Sequence, residues 1–384
     1  MQLFLSTDDF KLQGYSYPNF PILVDRAGEI EREALQFCVK HLIKRGRVQS
    51  IRSWEKYGKD LLDFFDWCEV NQIDWRDIGN DRESTILAEY RDWALGEDVR
   101  NSPRTVNGRL RLLMSFYRFA YNRGSVSSVP YEMETISVRK PVGFLAHADA
   151  TGGQRVSPDV LLRTARPVIR VLSRDQARTL VAVISNPTHK LAVRLALTTG
   201  MRREELATFP AKYVIDPRTY TEFRSFIRVV LDPRDMKTKG NRARGIDVPR
   251  TVMEDLWQYR IDMRHQLEEL SGVTSSTLFL SDDGLPFQNH GAALLGMVKA
   301  AGAAAGIPYI NVHVLRHTYA THTLYSMMKA KSQTNALLYV RDRLGHASVA
   351  TTEDYLHCLS EVEDRVMNDY QADIDAITRE APGA

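Results

Sequence analysis

The stretch NVHVLRHTYATH, residues 311–322, places an imidazole and a guanidinium three residues apart in a chain with only ten histidines. On a helix His313 and Arg316 share a face, so both side chains can reach one ligand group. A phosphate suits this pair, because arginine donates to two nonbridging oxygens and histidine can donate a hydrogen bond or move a proton near neutral pH. An isolated HxxR match is nevertheless more often structural or on the surface. His317 and His322 are predicted to be structural residues.

Composition limits the class of protein. The chain has 384 residues, of which 43% are hydrophobic, so it can bury substantial cores and is expected to form two or three domains. Its net charge of +3 permits a nucleic-acid partner without requiring one. The cysteines, Cys38, Cys68 and Cys358, are odd in number and widely spaced, which argues against a disulfide framework or a zinc cluster. Because we find no signal peptide and no long apolar window, a soluble intracellular protein is expected.

The first part of the chain is predicted to be helical. Apolar residues recur every three or four positions through residues 29–140, which we interpret as a small helical domain. Its last strong helix is expected to have Ser102 as N-cap and Pro103 at the first helical position, and to end near Gly124. Residues 1–28 are a separate N-terminal segment with too few strand signals to define a module.

The second part is predicted to be mixed in structure. Periodicity fades in residues 141–167, which contain several prolines and glycines and are predicted to be an interdomain linker. A second domain is expected over residues 168–360, beginning with a helix capped by Ser173. Within it, SFIRVVL at 225–231 and GIDVP at 245–249 have strand composition and flank a turn-rich segment, which predicts a hairpin. The remainder reads as helical, so the predicted fold class is mainly α with a small antiparallel β-sheet.

A second arginine that could bind an anion lies in TTGMRREEL, residues 198–206. Gly200 ends one apolar helix, and Arg202 is expected at the start of the next, where free backbone amides and the positive end of the helix dipole favour an anion. The alternative is an ordinary charged first turn, in which Glu204 and Glu205 pair with neighbouring basic residues.

The predicted hairpin loop RDMKTKGNRAR is strongly basic. Lys239 at its tip could enter a DNA groove or deliver a proton to a leaving oxygen, whereas a solvated basic loop is the simpler interpretation. The later segment DRLGHASVATTEDYLH places Tyr355 nine residues after His346. Tyrosine can be a covalent nucleophile in phosphoryl transfer, although a buried structural role is the commoner one.

The order of these motifs is informative. With TTGMRREEL, KTKGNRAR, HVLRH, LGH and TTEDY in sequence, the chain resembles the tyrosine recombinase family, also called the phage integrase family. The motifs span residues 168–360. The helical residues 29–140 look like the family's core-binding (SAM-like) DNA-binding domain by pattern alone, and residues 1–28 could extend that region. The resemblance implies an α+β catalytic domain, double-stranded DNA as substrate and a nucleoid-associated cytoplasmic protein.

The resemblance implies a role for each matching residue. Tyr355 matches the tyrosine that attacks a DNA phosphate and forms a 3′-phosphotyrosyl link, which stores the bond energy so that neither a metal nor ATP is needed. Arg202 and Arg316 match the arginines that clamp the nonbridging oxygens. No cofactor is therefore expected.

The remaining matches concern proton transfer and support. Lys239 matches the general acid for the leaving 5′-oxygen, His313 the histidine that assists proton transfer, and His346 the histidine that hydrogen-bonds the phosphate. Glu205 matches an acidic residue that supports the site. Glu204 departs from the many members with a small residue there, so it either adds negative charge near Arg202 or points to solvent.

Basic residues suggest where DNA would lie. Six arginines and no acidic residue occur between residues 100 and 123, and Arg104, Arg111 and Arg118 are spaced to form one helical stripe. A solvated basic face is the alternative to phosphate contact. The predicted DNA-binding residues are Arg100, Arg104, Arg111, Arg118, Lys237, Arg242 and Arg244.

The acidic tail, residues 361–384, has an apolar stripe at helical spacing that needs a partner surface. By resemblance it docks on a neighbouring subunit of a homotetramer on DNA, the free protein being a monomer or dimer. Packing onto its own domain is the alternative. Accessory DNA-bending or directionality factors are possible further partners.

The sequence thus predicts a site-specific recombinase, as an integrase or transposase of a mobile element. A Xer-like dimer resolvase is less favoured because the chain is longer than such compact proteins need. The alternatives are a catalytically silent DNA-binding protein with this fold and a type IB topoisomerase-like strand transferase.

Overall fold

The structure, a computed structural model, describes residues 1–46, 50–79, 85–137, 154–164, 168–219, 223–330, 334–346, 348–353 and 355–356. The chain divides into an N-terminal unit, Met1–Arg166, and a C-terminal unit, Pro167–Ala384. The tail at 361–384 and most of the predicted linker lie outside the described residues. Within the described ranges, no helix is both long and apolar enough to cross a membrane.

The N-terminal unit combines helices with short strand pairs. Its helices are α1 (Arg32–Cys38), continuing into a π-helix (Val39–Lys44), α2 (Ile51–Val70), α3 (Ile86–Leu95) and α4 (Pro103–Tyr121). Its strands are β1 (Gln2–Leu5), β2 (Lys11–Leu12), β3 (Tyr15–Ser16), β4 (Pro21–Val24), β5 (Met133–Ser137) and β6 (Gln154–Pro158). The antiparallel pairs are β1 with β4, β2 with β3 and β5 with β6.

Helix α4 confirms the predicted helix start. The hydroxyl of Ser102 accepts a hydrogen bond from the Thr105 amide at 3.2 Å, and Pro103 occupies the first turn, where its missing N–H costs nothing. One face of α4 is buried against α2, with the rings of Phe65 and Phe116 5.4 Å apart at nearly right angles. The opposite face is left to solvent.

The strand pairs correct the sequence interpretation of this unit. Residues 29–140 are not helical throughout, because β5 lies near their end, and the predicted linker contains its partner β6. Residues 1–28 likewise contain β1 to β4. Most residues of β5 and β6 are exposed, so no alternation of apolar and polar residues marks them. These strands form through backbone pairing rather than through burial of a face.

The C-terminal unit contains the predicted hairpin among helices. Its helices are α5 (Arg174–Ala182), α6 (Pro187–Thr199), α7 (Arg203–Ala207), α8 (Arg250–Ile261), α9 (Met263–Ser271), α10 (Ala292–Ala304), α11 (Val312–Lys329), α12 (Ala336–Leu344) and α13 (Ala350–Glu353), and its strands are β7 (Phe226–Leu231) and β8 (Arg244–Pro249). The register of β7 and β8 runs from Phe226 opposite Pro249 to Leu231 opposite Arg244. The hairpin and the Ser173 cap, a full capping box, are confirmed.

Helix α11 is the structural centre of this unit. It packs against α6, α10 and α12, and Leu315, Ala320 and Leu324 are fully buried on its different faces. A helix buried on several sides needs apolar or internally satisfied residues all round. Thr318 meets this need, because its hydroxyl donates to the Val314 carbonyl and accepts from the Leu172 amide, at 2.8 and 3.0 Å.

Gly200 ends α6 in the left-handed conformation, with φ of 65°. A Cβ there would lie 2.5 Å from the ring of Tyr319 and 2.8 Å from Leu344. We expect Gly200→Ala to lower the free energy of unfolding by about 3 kcal/mol, combining left-handed strain with overpacking. Scanning calorimetry of the full chain measures this loss.

Gly272 provides a matched control, because it ends α9 at the same φ of 65° and a Cβ there meets nothing within 4 Å. Gly272→Ala should therefore cost only the strain, about 1 kcal/mol. Equal losses for the two variants would contradict close packing at Gly200.

Candidate active site

A buried carboxylate joins two arginines at the start of α7 and β8. Glu205, with its side chain 2% exposed, accepts hydrogen bonds from the backbone amide of Arg202 at 2.7 Å and from its Nη1 at 3.0 Å. Its Oε2 also accepts from Nη2 of Arg244 at 2.5 Å. Arg202 is the N-cap residue of α7 and Glu205 lies in the first turn, so this short helix holds the Arg202 guanidinium close to the Glu205 carboxylate.

The charge of this carboxylate is well defined. Burial by itself would raise the pKa of Glu205, but the adjacent Arg244 and Arg202 outweigh it and lower the pKa below its ordinary value. Glu205 is therefore an anion at neutral pH. Breaking such a buried pair by removing one partner is costly, because the other charge is left without compensation.

Arg316 ties together the ends of two helices. Its Nη1 donates to the carbonyl of Gly200 and its Nη2 to the carbonyl of Leu344, both at 2.6 Å, and the residue is 3% exposed. These carbonyls close α6 and α12, where the negative end of the helix dipole favours a cation. Burial, with Arg202 and Arg244 nearby, lowers the pKa of Arg316 to about 9, so it stays charged at pH 7.

The end of α12 is also held from the hairpin side. Arg244 donates through Nη1 to the carbonyl of Arg343, and a Cβ on Gly345 would lie 2.7 Å from its side chain. Asp247 of β8 accepts from Nε of Arg343 at 2.5 Å and from the Tyr339 hydroxyl at 2.7 Å. The segment that follows α12 therefore starts from a fixed position.

Four rings from this segment and from α11 form a continuous row. The centroids of His313 and His317 are 5.8 Å apart, those of His317 and Tyr355 5.5 Å, and those of Tyr355 and His346 6.1 Å with nearly parallel planes. The Tyr355 hydroxyl lies 2.9 Å from Nδ1 of His317. Nδ1 of His346 lies 3.0 Å from the hydroxyl of Thr352.

The histidines of this row resist protonation. Burial, with His313 and Arg316 nearby, lowers the pKa of His317 to about 4, and burial with Arg316 and Arg202 lowers that of His346 to about 3. The pKa of His313 is also lowered, first by loss of hydration and then by Arg316, Arg202 and Lys239. The site therefore carries its positive charge on arginine and lysine, while its imidazoles are neutral at pH 7.

The hairpin loop supplies the lysine of this charge set. Lys239 is exposed and precedes Gly240, whose φ of 71° turns the chain at the loop tip. The charge of Lys239 is one of those that depress the pKa of His313, so the loop reaches the same electrostatic environment. Lys237 and Arg242 are exposed in the same loop.

The structure thus gathers the residues singled out from the sequence. Arg202 and Arg316 lie near the Glu205 carboxylate, His313, His346 and Tyr355 belong to the ring row, and the charge of Lys239 acts on His313. Within the described residues, no three His, Cys, Asp or Glu side chains are arranged to hold a metal ion.

Two residues make contacts that the sequence did not reveal. Arg244, expected to bind DNA, is only 9% exposed and is committed to Glu205 and to α12. The strand period contains the missed signal, because Arg244 shares its face with the apolar Ile246 and Val248. His317, expected to be merely structural, contacts the Tyr355 hydroxyl.

Glu204 and His322 have simpler roles. The Oε1 of Glu204 lies 2.5 Å from Nδ1 of His290 in the loop before α10, and its side chain is 39% exposed, so this carboxylate contacts a histidine at the surface. Nε2 of His322 lies 2.8 Å from the Leu172 carbonyl, which confirms its predicted structural role.

The predicted arginine stripe of α4 lies in the N-terminal unit. Arg104, Arg111 and Arg118 are exposed on one face of the helix, and Arg118 donates to the Tyr131 hydroxyl at 2.9 Å. Arg100 is also exposed, with a φ of 52° and its Nε bonded to the Glu97 carbonyl at 2.6 Å. Their guanidinium groups are accessible to a ligand.

Comparison with known proteins places the chain in a family. The model of the phage integrase family matches residues 170–361, half of the chain. The chain therefore belongs to this family, the tyrosine recombinases, whose members break and rejoin DNA. The match covers every residue of the candidate site.

Curated relatives and solved structures agree. The chain is 24% identical over 331 residues to tyrosine recombinase XerC of Roseiflexus castenholzii, covering 85% of this chain and 88% of that protein. It is 28% identical over 304 residues to XerD of Staphylococcus saprophyticus, covering 78% and 86%.

Two solved structures show the same fold. XerH recombinase bound to its difH substrate has a TM-score of 0.53 at 17% identity and 88% coverage of both chains. The Tn1549 transposon integrase with transposon right end DNA has a TM-score of 0.53 at 15% identity, covering 87% of this chain and 99% of that one. The predicted fold class is confirmed.

The support given by Arg244 can be measured. We expect Arg244→Met to lower the free energy of unfolding by about 3 kcal/mol, because Glu205 loses one of its buried cationic partners. Urea unfolding of the full chain measures the change. Arg242→Met removes an exposed charge two residues away and should change stability by less than about 0.5 kcal/mol. Similar losses for both would contradict the buried pair.

Proposed function

We propose that the chain is a site-specific recombinase that cleaves and rejoins DNA through a 3′-phosphotyrosyl intermediate, without metal or ATP. The observation that carries this proposal is the position of Tyr355, whose ring stacks on that of His346, an imidazole whose pKa is lowered by burial and by the charge of the nearby Arg316. A nucleophile and a phosphate-binding cation thus share one site. Family membership supports the class of reaction, and the geometry of the site supports the role proposed for each residue.

The arginines would bind the scissile phosphate. The guanidinium groups of Arg202 and Arg316 can each donate to a nonbridging oxygen, and charge on these oxygens grows as the fifth bond to phosphorus forms. Arg202 is 19% exposed at its side chain, so it can reach a ligand while Glu205 fixes its direction. Arg316 is anchored by two carbonyls, which leaves its other N–H groups for the phosphate.

The chemical step then follows from the atoms that must move. The Tyr355 oxygen loses its proton and bonds to phosphorus, and the bond from phosphorus to the 5′-oxygen breaks. Lys239 donates a proton to that leaving oxygen. His313 assists proton transfer by taking up the proton that the phenol loses, and His346, neutral at pH 7, can donate one hydrogen bond to the phosphate. The reverse sequence, with a 5′-hydroxyl from another strand, rejoins the DNA.

DNA contact would extend beyond the site. XerH and the Tn1549 integrase are described bound to DNA, and we propose double-stranded DNA as the partner here. Its phosphates would meet the exposed Arg100, the stripe of Arg104, Arg111 and Arg118, and the loop residues Lys237 and Arg242. A tetramer on DNA, docking of residues 361–384 on a neighbouring subunit and accessory factors complete the proposal.

Two biological roles are considered for such a recombinase. The sequence favoured an integrase or transposase of a mobile element because of chain length. The XerC relative nevertheless matches 85% of this chain, so length does not separate that role from a Xer-like one. We retain the mobile-element role as the proposal and the resolution of replicon dimers as its alternative.

The covalent step can be tested without knowing the site in advance. Duplexes selected from a random DNA library by binding to Tyr355→Phe are nicked and incubated with protein in EDTA. We expect wild type to form an adduct that survives denaturation and Tyr355→Phe to form none, because the phenol oxygen is the attacking atom.

Tyr325→Phe, which removes another hydroxyl from the C-terminal unit, is the control and should retain the adduct. An adduct with Tyr355→Phe would assign the nucleophile elsewhere. Binding with no adduct from any protein would favour a silent DNA-binding role, and relaxation of supercoils without strand exchange would favour a topoisomerase.

The role can be tested with the selected site. Two plasmid substrates are built. One contains two direct copies of the selected site, and the other contains one copy of the site and a partner DNA end of different sequence. A mobile-element enzyme should recombine partners that differ in sequence. Products restricted to two identical sites would contradict the mobile-element role and support dimer resolution.

A further inference from the structure

Helix α11 provides a contact to the proposed nucleophile that the mechanism above does not use. Nδ1 of His317 lies 2.9 Å from the Tyr355 hydroxyl, and Tyr355 is 3% exposed. His317 and His313 both line a cavity of about 380 Å³. His317 therefore contacts the buried tyrosine and also lines this cavity.

The backbone around Tyr355 does little by itself to fix the orientation of the side chain. Helix α13 ends at Glu353, and the amide of Tyr355 bonds in a turn to the Thr352 carbonyl at 3.1 Å. The ring of His346 stacks at an interplanar angle of 10° and fixes the plane of the phenol. Stacking does not fix where the hydroxyl hydrogen points, so another contact must do so.

The direction of the hydrogen bond follows from the charge of the imidazole. With a pKa of about 4, His317 is neutral at pH 7 and has one nitrogen without a hydrogen. The phenol O–H can donate to that nitrogen when it is Nδ1. The lone pairs of the phenol oxygen then remain available for phosphorus.

We propose that His317 is a positioning residue for the nucleophile: its Nδ1 accepts the phenolic hydrogen bond and holds the Tyr355 oxygen in line for attack. This inference rests on the proposed function of Tyr355. It goes beyond that function because it assigns the orientation of the nucleophile to a residue outside the arginine, lysine and histidine set that contacts the phosphate.

The contact orients the tyrosine rather than ionising it. Burial lowers the pKa of His317 to about 4, which makes it a weak base, so Nδ1 accepts the hydrogen bond without taking the proton from the phenol. Orientation alone is valuable, since misplacement of a reacting atom by about 1 Å can cost about 100-fold in rate.

The test compares variants of His317 on the selected nicked duplex, with single-turnover cleavage and DNA affinity measured separately. His317→Asn places an acceptor oxygen where Nδ1 lies, whereas His317→Gln places it near Nε2. We expect Asn to cleave within about 10-fold of wild type and Gln to lose about 100-fold, with DNA affinity unchanged. His322→Asn, five residues further along α11, is the matched control and should cleave as wild type.

A second substrate separates the nucleophile from the leaving group. A duplex with sulfur in place of the bridging 5′-oxygen needs no acid to expel its leaving group, so it should restore cleavage by Lys239→Ala. It should not restore cleavage by His317→Gln, because positioning of the nucleophile is unchanged by the leaving group. Rescue of His317→Gln by sulfur would overturn the proposal.

Other outcomes are also decisive. Equal cleavage rates for His317→Asn and His317→Gln, or a loss confined to DNA affinity or to the thermal midpoint, would overturn the positioning role while leaving Tyr355 as nucleophile. Absence of an adduct with wild type would instead overturn the proposed function itself. The two failures are therefore distinguishable.

Discussion

The buried carboxylate of Glu205 is the constraint on which the site depends. The positive charges of Arg202, Arg244 and Arg316 lie close enough to repel one another, and poor hydration strengthens this repulsion. Glu205 lies among them with almost no exposure and compensates part of this charge. The remaining positive charge is what an anionic ligand would meet. One acidic residue thus makes a cluster of cations compatible with folding.

The same hydrogen-bond network fixes the positions of neighbouring elements relative to one another. Arg244 connects Glu205 to the last turn of α12, and Arg316 connects that turn to the end of α6. The segment with His346 and Tyr355 begins immediately after this turn. Consequently, the hairpin, α11 and α12 fix the start of the nucleophile segment before any DNA is present, and the ring row fixes its end.

Within the site, guanidinium groups carry the charge, and neutral imidazoles provide hydrogen-bonding groups. Arg316 stays charged at pH 7 because its pKa, although burial and neighbouring arginines lower it, is still about 9, whereas burial and the nearby cations keep the imidazoles neutral. Neutral rings can accept or donate one hydrogen bond at a time without adding to the repulsion. A bound phosphate would partly cancel the field that depresses their pKa values, so ligand binding and the proton affinity of the site are coupled.

The sequence by itself determined the helical character of both units, the cap at Ser102, the hairpin and the set of residues at the site, because local periodicity, capping and motif order are encoded in neighbouring residues. It did not reveal β5 and β6, whose exposed residues pair only through the backbone. It also assigned Arg244 to DNA although this residue is buried, and it did not reveal the contact of His317 with Tyr355. Those roles depend on contacts with Glu205 and Tyr355, 39 and 38 residues away along the chain, and only tertiary packing decides such contacts.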